Sequence, residues 1–432
     1  MKHALYILTK SNGDFYMEFT PPSTGDNSFY IQLIEPFSSS NGDEYTLHLL
    51  QKKTPELQSA LQSQYSNILK THPDINKIIS FVNKIPDNEI FMTRPEKFNS
   101  SKDECLAYIY IEALNYSENK EEQQNYYNEK KQQVDDIFPK LIDKYNIISP
   151  NLKNPSTIGE KRKNIRTCRF CGKNQSTGAT FRKVAHAIPF GLGNKYLILT
   201  EECDSCNEYF GSTIEPNFIY QYDILRSFHG LKGRNGNIEI KAGNFSMKNV
   251  NGEVRIQSQS INTNEHDEEF LTTSIERIRT YTPEHDYKLL CKIALSVLPR
   301  EELSNYEDTL KWIRFDAKPI SNIPKIWTCL TKQTETRLTL YIKRDNNLDL
   351  PHIIAEFAFC GLMFIYPIPM CCLDTNININ ITSNKLFTEI FSHYKKANLH
   401  LKELDISSPI EIKAQDKLKF KKSSPNDHFI QK

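Results

Sequence analysis

Residues 168–215 read CRFCGKNQSTGATFRKVAHAIPFGLGNKYLILTEECDSCNEYFGSTIE, and the reading of the chain turns on the two Cys-x-x-Cys pairs in this stretch. Cys168 and Cys171 form the first pair. Cys203 and Cys206 form the second, with 31 residues between the two pairs. Thiolates at this spacing in a tight turn can face one metal ion, and two such turns complete a tetrahedral Zn²⁺ site. Gly172 follows the first pair, as in a zinc knuckle. A redox pair needs only one Cys-x-x-Cys, usually opening a helix, so the doubled pattern reads as structural zinc. Four cysteines leave no open coordination position, and this metal is therefore expected to hold the fold rather than to catalyse.

Between the pairs, VAH and YLILT are short strand patterns around a Pro-Gly loop, and DSCNEYFGSTIEPNFIYQYDILRSF reads as a helix beginning at the second knuckle. The expected unit is two strands followed by a helix, with zinc tying its start to its end. So small a unit has little core and needs such a staple.

Ala185-His186-Ala187-Ile188-Pro189, Gly193-Asn194, Cys203-x-x-Cys206-Asn207, Phe210-Gly211 and Glu215 together resemble the HNH endonuclease family in its form with two Cys-x-x-Cys pairs. The resemblance spans about 50 residues, one small domain's worth. It implies that His186 is the general base that takes a proton from the attacking water, a task suited to a neutral imidazole. It implies that Asn194, the central Asn, holds the loop that orients His186, and that Asn207 is a ligand of one catalytic Mg²⁺ or Mn²⁺. Ala185 departs from the pattern, because the family often places a metal-binding Asp, Glu or His there. Glu215, eight residues beyond Asn207 and so on the same face of one continuous helix, is a candidate replacement ligand; Glu202 and Asp204 are weaker ones. The plainer alternatives are a loop histidine at 186, a turn residue at 194, a helix cap at 207 and a salt-bridged helix residue at 215.

The net charge of +1 says nothing about nucleic acid, but its distribution does. Residues 161–200 carry nine basic residues and no acid. Lys161, Arg162, Lys163, Arg166, Arg169, Arg182, Lys183 and Lys195 are taken as candidate phosphate contacts, which bring affinity and salt dependence without sequence specificity. Residues 1–155 carry 16 basic and 21 acidic residues, which disfavours direct DNA contact there.

The 432 residues suggest about three domains. The first fifty look like strands (ALYILT, FYMEF, SFYIQLI, YTLHLL), and helical spacing follows from Thr54 to about residue 145. Pro150, Pro155 and the basic run at 161–163 mark a linker. Residues 231–282 are strand-rich with turns at Asn235-Gly236 and Asn251-Gly252, 285–314 helical, 325–373 strands, and 384–396 a short helix. Boundaries are therefore expected near 155, 230 and 405, with a basic, poorly ordered tail at 406–432. The apolar run 353–373 is broken by Glu356, Gly361, Pro367 and Pro369 and fits two buried strands better than a membrane span. Cys105, Cys291, Cys329, Cys360, Cys371 and Cys372 read as reduced core thiols in a cytoplasmic protein. The expected class is an α+β multidomain chain with a central ββα-metal HNH module, stapled by a four-cysteine zinc site and flanked by mixed α/β domains.

The function implied is metal-dependent hydrolysis of phosphodiester bonds in nucleic acid, DNA before RNA, with bacterial restriction or anti-phage defence as the setting the resemblance suggests. The other readings are a non-catalytic, zinc-stabilised nucleic-acid-binding protein and a toxin-like nuclease activated by a protein partner. A homodimer is what double-strand cutting by single active sites requires.

Overall fold

The computed structural model describes residues 3–19, 28–42, 44–66, 68–98, 100–233, 236–243, 245–258, 261–262, 270–319, 322–346, 349–374, 390–396 and 399–421. The chain is mixed α+β, with several open sheets and two compact units, Met1–Ile142 and Asp143–Lys432.

In the first unit, His3–Thr9 sits at the centre of an antiparallel sheet between Gly13–Phe19 and Ile90–Arg94, with Leu50–Lys52 at the far edge. Leu5, Ile7 and Phe91 on this sheet are buried with Leu61 and Tyr65 of helix Pro55–Tyr65 and Ile78 and Val82 of helix Asn76–Val82. Ser28–Ile34, expected as a strand, is a helix. Phe29 and Leu33 stand four residues apart, so one helical face buries both, and the Leu33 carbonyl accepts a 2.6 Å hydrogen bond from the Tyr65 hydroxyl. Helices Ser101–Leu114 and Lys120–Ile137 follow, the second charged and Gln-rich and ending before residue 145, where Tyr145–Ile148 is a strand.

The second unit begins at Asp143, ahead of the expected boundary near 155. Tyr145–Ile148 is an edge strand of a six-stranded antiparallel sheet, paired with Arg337–Lys343 and continued by Ile353–Phe359, Leu362–Pro367, Ile326–Leu330 and Lys402–Leu404. The apolar run 353–373 is thus two buried strands, and no described helix is long and apolar enough to cross a membrane. Helix Pro283–Val297 is buried along almost its whole length. A helix buried on every side belongs to the centre of a core. Around it one continuous core takes in Cys168, Cys203, Cys206, Phe210 and Phe218 together with sheet residues such as Phe359 and Phe364. The Phe218 ring lies 5.7 Å from that of Phe359 and 5.8 Å from that of Phe364. The expected boundary near 230 therefore has no counterpart in the packing: residues 156–230 and the chain that follows bury one core.

Glu239–Ala242, Phe245–Val250 and Glu253–Ser258 form a three-stranded meander whose Asn251-Gly252 turn has positive φ at both positions, as a tight hairpin requires. Asn235, of the other expected turn, lies outside the described residues, as do 384–389 of the expected short helix; Ser392–Lys396 is helical. The tail is not uniformly irregular, because Ile412–Lys421 pairs with Phe270–Tyr281; residues 422–432 lie outside the described residues. All ten cysteines are free thiols, but Cys372 is exposed rather than in the core.

Candidate active site and metal centre

The first knuckle is built by Gly172, whose N–H donates to the Cys168 carbonyl at 2.9 Å from a backbone with φ +69°, and by the Cys168 N–H donating to the Lys173 carbonyl at 2.8 Å. Cys203 caps helix Asp204–Ser212, and its N–H points at the Cys168 sulfur, 3.4 Å away. All four sulfurs lie within 4.8 Å of one another, and those of Cys171 and Cys203 are 3.7 Å apart. A tetrahedron with Zn–S bonds of about 2.3 Å has S···S edges of about 3.8 Å, so the donor set is compatible with a structural zinc ion. Arg314 donates its Nε–H to the Cys206 sulfur at 3.0 Å and its Nη2 to the Ser205 hydroxyl at 3.2 Å. A guanidinium there offsets part of the charge that four thiolates bring.

Downstream of the first knuckle, His186 faces Ile198 across an antiparallel bridge. The Ala187 N–H donates to Leu197 O at 3.1 Å and the Leu199 N–H to Ala185 O at 2.9 Å, so the first expected strand is one bridge long. Ser156–Ile158, expected as linker, pairs in parallel with Leu197–Leu199. In the loop, the buried Asn194 accepts from the N–H groups of Tyr196 and Leu197 at 3.1 and 3.2 Å and donates to the Ile188 carbonyl at 3.4 Å. It therefore clamps the loop shut behind His186. Gly193 beside it has φ +90°, and a Cβ there would stand 2.7 Å from the Thr336 hydroxyl.

The half-exposed His186 ring meets the Phe190 ring edge-on at 6.0 Å. Asn207 lies in the first turns of helix Asp204–Ser212 and donates a long, 3.5 Å hydrogen bond to the Val184 carbonyl, two residues from His186. Hairpin and helix thus bring His186, Asn194 and Asn207 into one small region.

Glu215 is placed elsewhere. The expected continuous helix is three pieces, Asp204–Ser212, Ile214–Gln221 and Asp223–Phe228, with a break at Thr213 (φ −115°, ψ −77°). Pro216 has no N–H for the Ser212 carbonyl, so a single helix cannot run through this point. The break turns Glu215 onto Lys292, 3.4 Å away. Lys292 also lies 3.4 Å from Glu202, and both side chains are buried. Burial pushes the Glu202 carboxyl up to about 7 against the pull of Lys292. Burial alone would lower the Lys292 pKa, but the two carboxylates outweigh it and raise the value.

Asp204 is also occupied. It accepts from the Thr180 hydroxyl at 2.6 Å and from the N–H groups of Arg182 and Lys183 at 2.9 and 2.8 Å. These bonds outweigh its partial burial and hold its pKa below the usual value. Ala185 is buried and offers no ligand. Among the described residues, the only cluster of three or more His, Cys, Asp or Glu ligand atoms is the cysteine four. His186 and Asn207, without an available carboxylate, do not by themselves build a site for a hard divalent cation.

Two of the eight basic candidates are structural. Arg169 is buried, donates to the carbonyls of Leu295, Ser296 and Leu298, and pairs with Glu201 at 2.9 Å. Arg166 is buried with its guanidinium on the carbonyls of Glu160 and Lys161. The window without an acid marks both as phosphate contacts, but their partners are backbone carbonyls and an acid just beyond that window. Arg162 pairs with Glu160 and holds that carboxyl down to about 2, and Lys183 pairs with Glu208. Lys161, Lys163, Arg182 and Lys195 are exposed. Lys163 and Arg182 line a groove of about 210 Å³ with Gln175, Ala179, Thr180 and Phe181.

Sequence reasoning missed Arg314, Glu201 and Lys292. Only Lys292 carried a signal: with Lys288 it places two cations four residues apart in the otherwise apolar DYKLLCKIALSVL.

No curated protein and no solved structure matches the chain. A family model described as HNH endonuclease matches residues 168–223, the segment that contains the four cysteines, His186, Asn194 and Asn207. Residues 168–223 are thus an HNH endonuclease domain, within which four clustered cysteines could bind a zinc ion.

Proposed function

We propose that the chain is an endonuclease that hydrolyses phosphodiester bonds in nucleic acid, DNA in preference to RNA, with His186 as general base and a structural Zn²⁺ on Cys168, Cys171, Cys203 and Cys206. The observation that carries this reading is the placement of His186: a partly exposed imidazole on the hairpin that the cysteine cluster and Asn194 hold in place. The imidazole takes the proton of the attacking water, the developing hydroxide adds to phosphorus in line with the leaving oxygen, and as the P–O bond to that oxygen breaks the leaving alkoxide takes a proton from solvent water. Asn194 sets the loop, and Asn207 ties the helix to the strand before His186. Lys161, Lys163, Arg182 and Lys195 contact phosphates on either side of the cut and supply affinity without sequence reading.

The second reading, a zinc-stabilised nucleic-acid-binding protein without catalysis, is favoured by one observation. Ala185 stands where the resemblance implies a metal ligand, and neither Glu202 nor Glu215 replaces it, since both face Lys292. Incubating the purified protein with supercoiled plasmid and with single-stranded RNA, in Mg²⁺, in Mn²⁺ and in EDTA, separates the two. Plasmid cutting supports the nuclease; because EDTA also strips zinc from the four cysteines, its loss in EDTA counts for a Mg²⁺ or Mn²⁺ ion only where zinc content is unchanged. Binding without cutting under every metal supports the second reading.

A further inference from the structure

We propose that Lys292, outside the family-matched segment, is a positioning residue for His186. The proposal rests on the nuclease reading above and deepens it.

The flanking hydrogen bonds of the His186–Ile198 bridge run from Ala187 to Leu197 and from Leu199 to Ala185. His186 is therefore in a non-hydrogen-bonded pair, and its own C=O points away from the partner strand. On the far side of that partner strand the outward groups are met by Ser156–Ile158. On the His186 side no strand follows among the described residues. The carbonyl of His186 instead accepts from Lys292 Nζ at 3.0 Å. A carbonyl at a buried edge needs such a donor.

Lysine is almost never fully buried unless paired, and the Lys292 side chain is 1% exposed. Its ammonium meets three oxygens from three segments: the His186 carbonyl on the hairpin, Glu202 just before the second knuckle, and Glu215 at the start of helix Ile214–Gln221. It also lies 5.7 Å from the centre of the Phe210 ring. One cation thus fixes the peptide plane after His186 relative to the zinc turn and the second helix. The two carboxylates hold the ammonium in place, and the ammonium holds the strand edge from which the imidazole projects. Lys292 touches neither substrate nor water at the reacting atoms. Its effect is on where the imidazole stands, and a general base must reach the proton it removes.

The test uses the full-length protein. A misplaced base about 1 Å out of position costs on the order of 100-fold, so Lys292→Met should lower kcat by about that factor while KM for nucleic acid and zinc content stay unchanged. Lys292→Arg, which keeps charge and donors, should recover much of the loss; a merely space-filling role would not give that pattern. Lys292→Met leaves two acids buried without a counter-charge, so a companion Lys292→Met/Glu202→Gln/Glu215→Gln removes the charges together and should fold. The companion should show the same kcat loss. A folded, zinc-loaded variant of either kind with wild-type kcat, or with a loss confined to KM, overturns the proposal. If wild type cuts nothing, the nuclease reading itself fails, and amide exchange decides the positioning claim. Faster exchange at Ala187 and Leu199 in the companion supports it, and unchanged exchange overturns it.

Discussion

At the residue scale, chemistry concentrates on side chains whose partners are set by the backbone around them. His186→Ala should lower cleavage by at least about 100-fold, the low end of a general base's contribution, while affinity for nucleic acid is retained; cleavage and equilibrium binding of one preparation check both. The basic residues divide sharply. Ala at Lys161, Arg182 or Lys195 should each reduce the slope of log K against log salt by about 0.9, one phosphate contact apiece, as fluorescence anisotropy across a salt series would show. Arg169→Ala should instead leave that slope alone and cost about 1–3 kcal/mol of stability in urea unfolding, because the carbonyls of Leu295, Ser296 and Leu298 lose their donor and Glu201 keeps only the half-exposed Arg300 as its ion-pair partner. Sequence alone could not sort these cations. Spacing shows a run of positive charge, but whether a guanidinium meets solvent or three carbonyls of a distant helix is decided by packing. The clustering of the four cysteines and the hydrogen bonds of Asn194 within its loop were legible because both follow from local turns. Lys292 was legible only as an anomaly, since its partners lie 77 to 106 residues away.

At the element scale, the four-cysteine cluster and the broken helix set where the side chains of this segment stand. The strand carrying His186 is one bridge long and cannot stand alone, so its geometry depends on the knuckles on either side. Cys203→Ser should abolish stoichiometric zinc binding, measured by elemental analysis, and remove amide-exchange protection from Ala187 and Leu199. A variant that loses the zinc but keeps the protection would show that the hairpin is held by the core alone. The pattern of 204–228 reads as one helix because its apolar period runs on past Thr213. Pro216 is the sign that it does not, and the resulting turn sends Glu215 to Lys292 rather than to the side of Asn207. Ser28–Ile34 shows the converse ambiguity: a short aromatic and β-branched run whose helical spacing of Phe29 and Leu33 outweighs its strand composition.

At the scale of the whole molecule, the HNH domain is built into a larger unit. Arg169 reaches helix Pro283–Val297, Lys292 of that helix reaches the His186 carbonyl, Arg314 reaches the clustered cysteines from helix Glu307–Phe315, and Phe218 packs on the sheet. A fragment of residues 156–230 should therefore fail to give a cooperative thermal unfolding transition even with zinc present, whereas residues 143–432 should retain one. Composition could suggest boundaries near 155 and 230, because linkers and strands change there. It could not show that a core runs through them, which depends on contacts far apart in sequence.

The central claim is that this module cuts nucleic acid through His186. Its most direct test is single-turnover cleavage of supercoiled plasmid by wild-type and His186→Ala protein, each saturated with zinc, with binding measured in parallel. The expected result is nicked or linear product from wild type and none from the variant, at equal affinity. Equal cutting by both, or binding without cutting by wild type across the metal series, would contradict it.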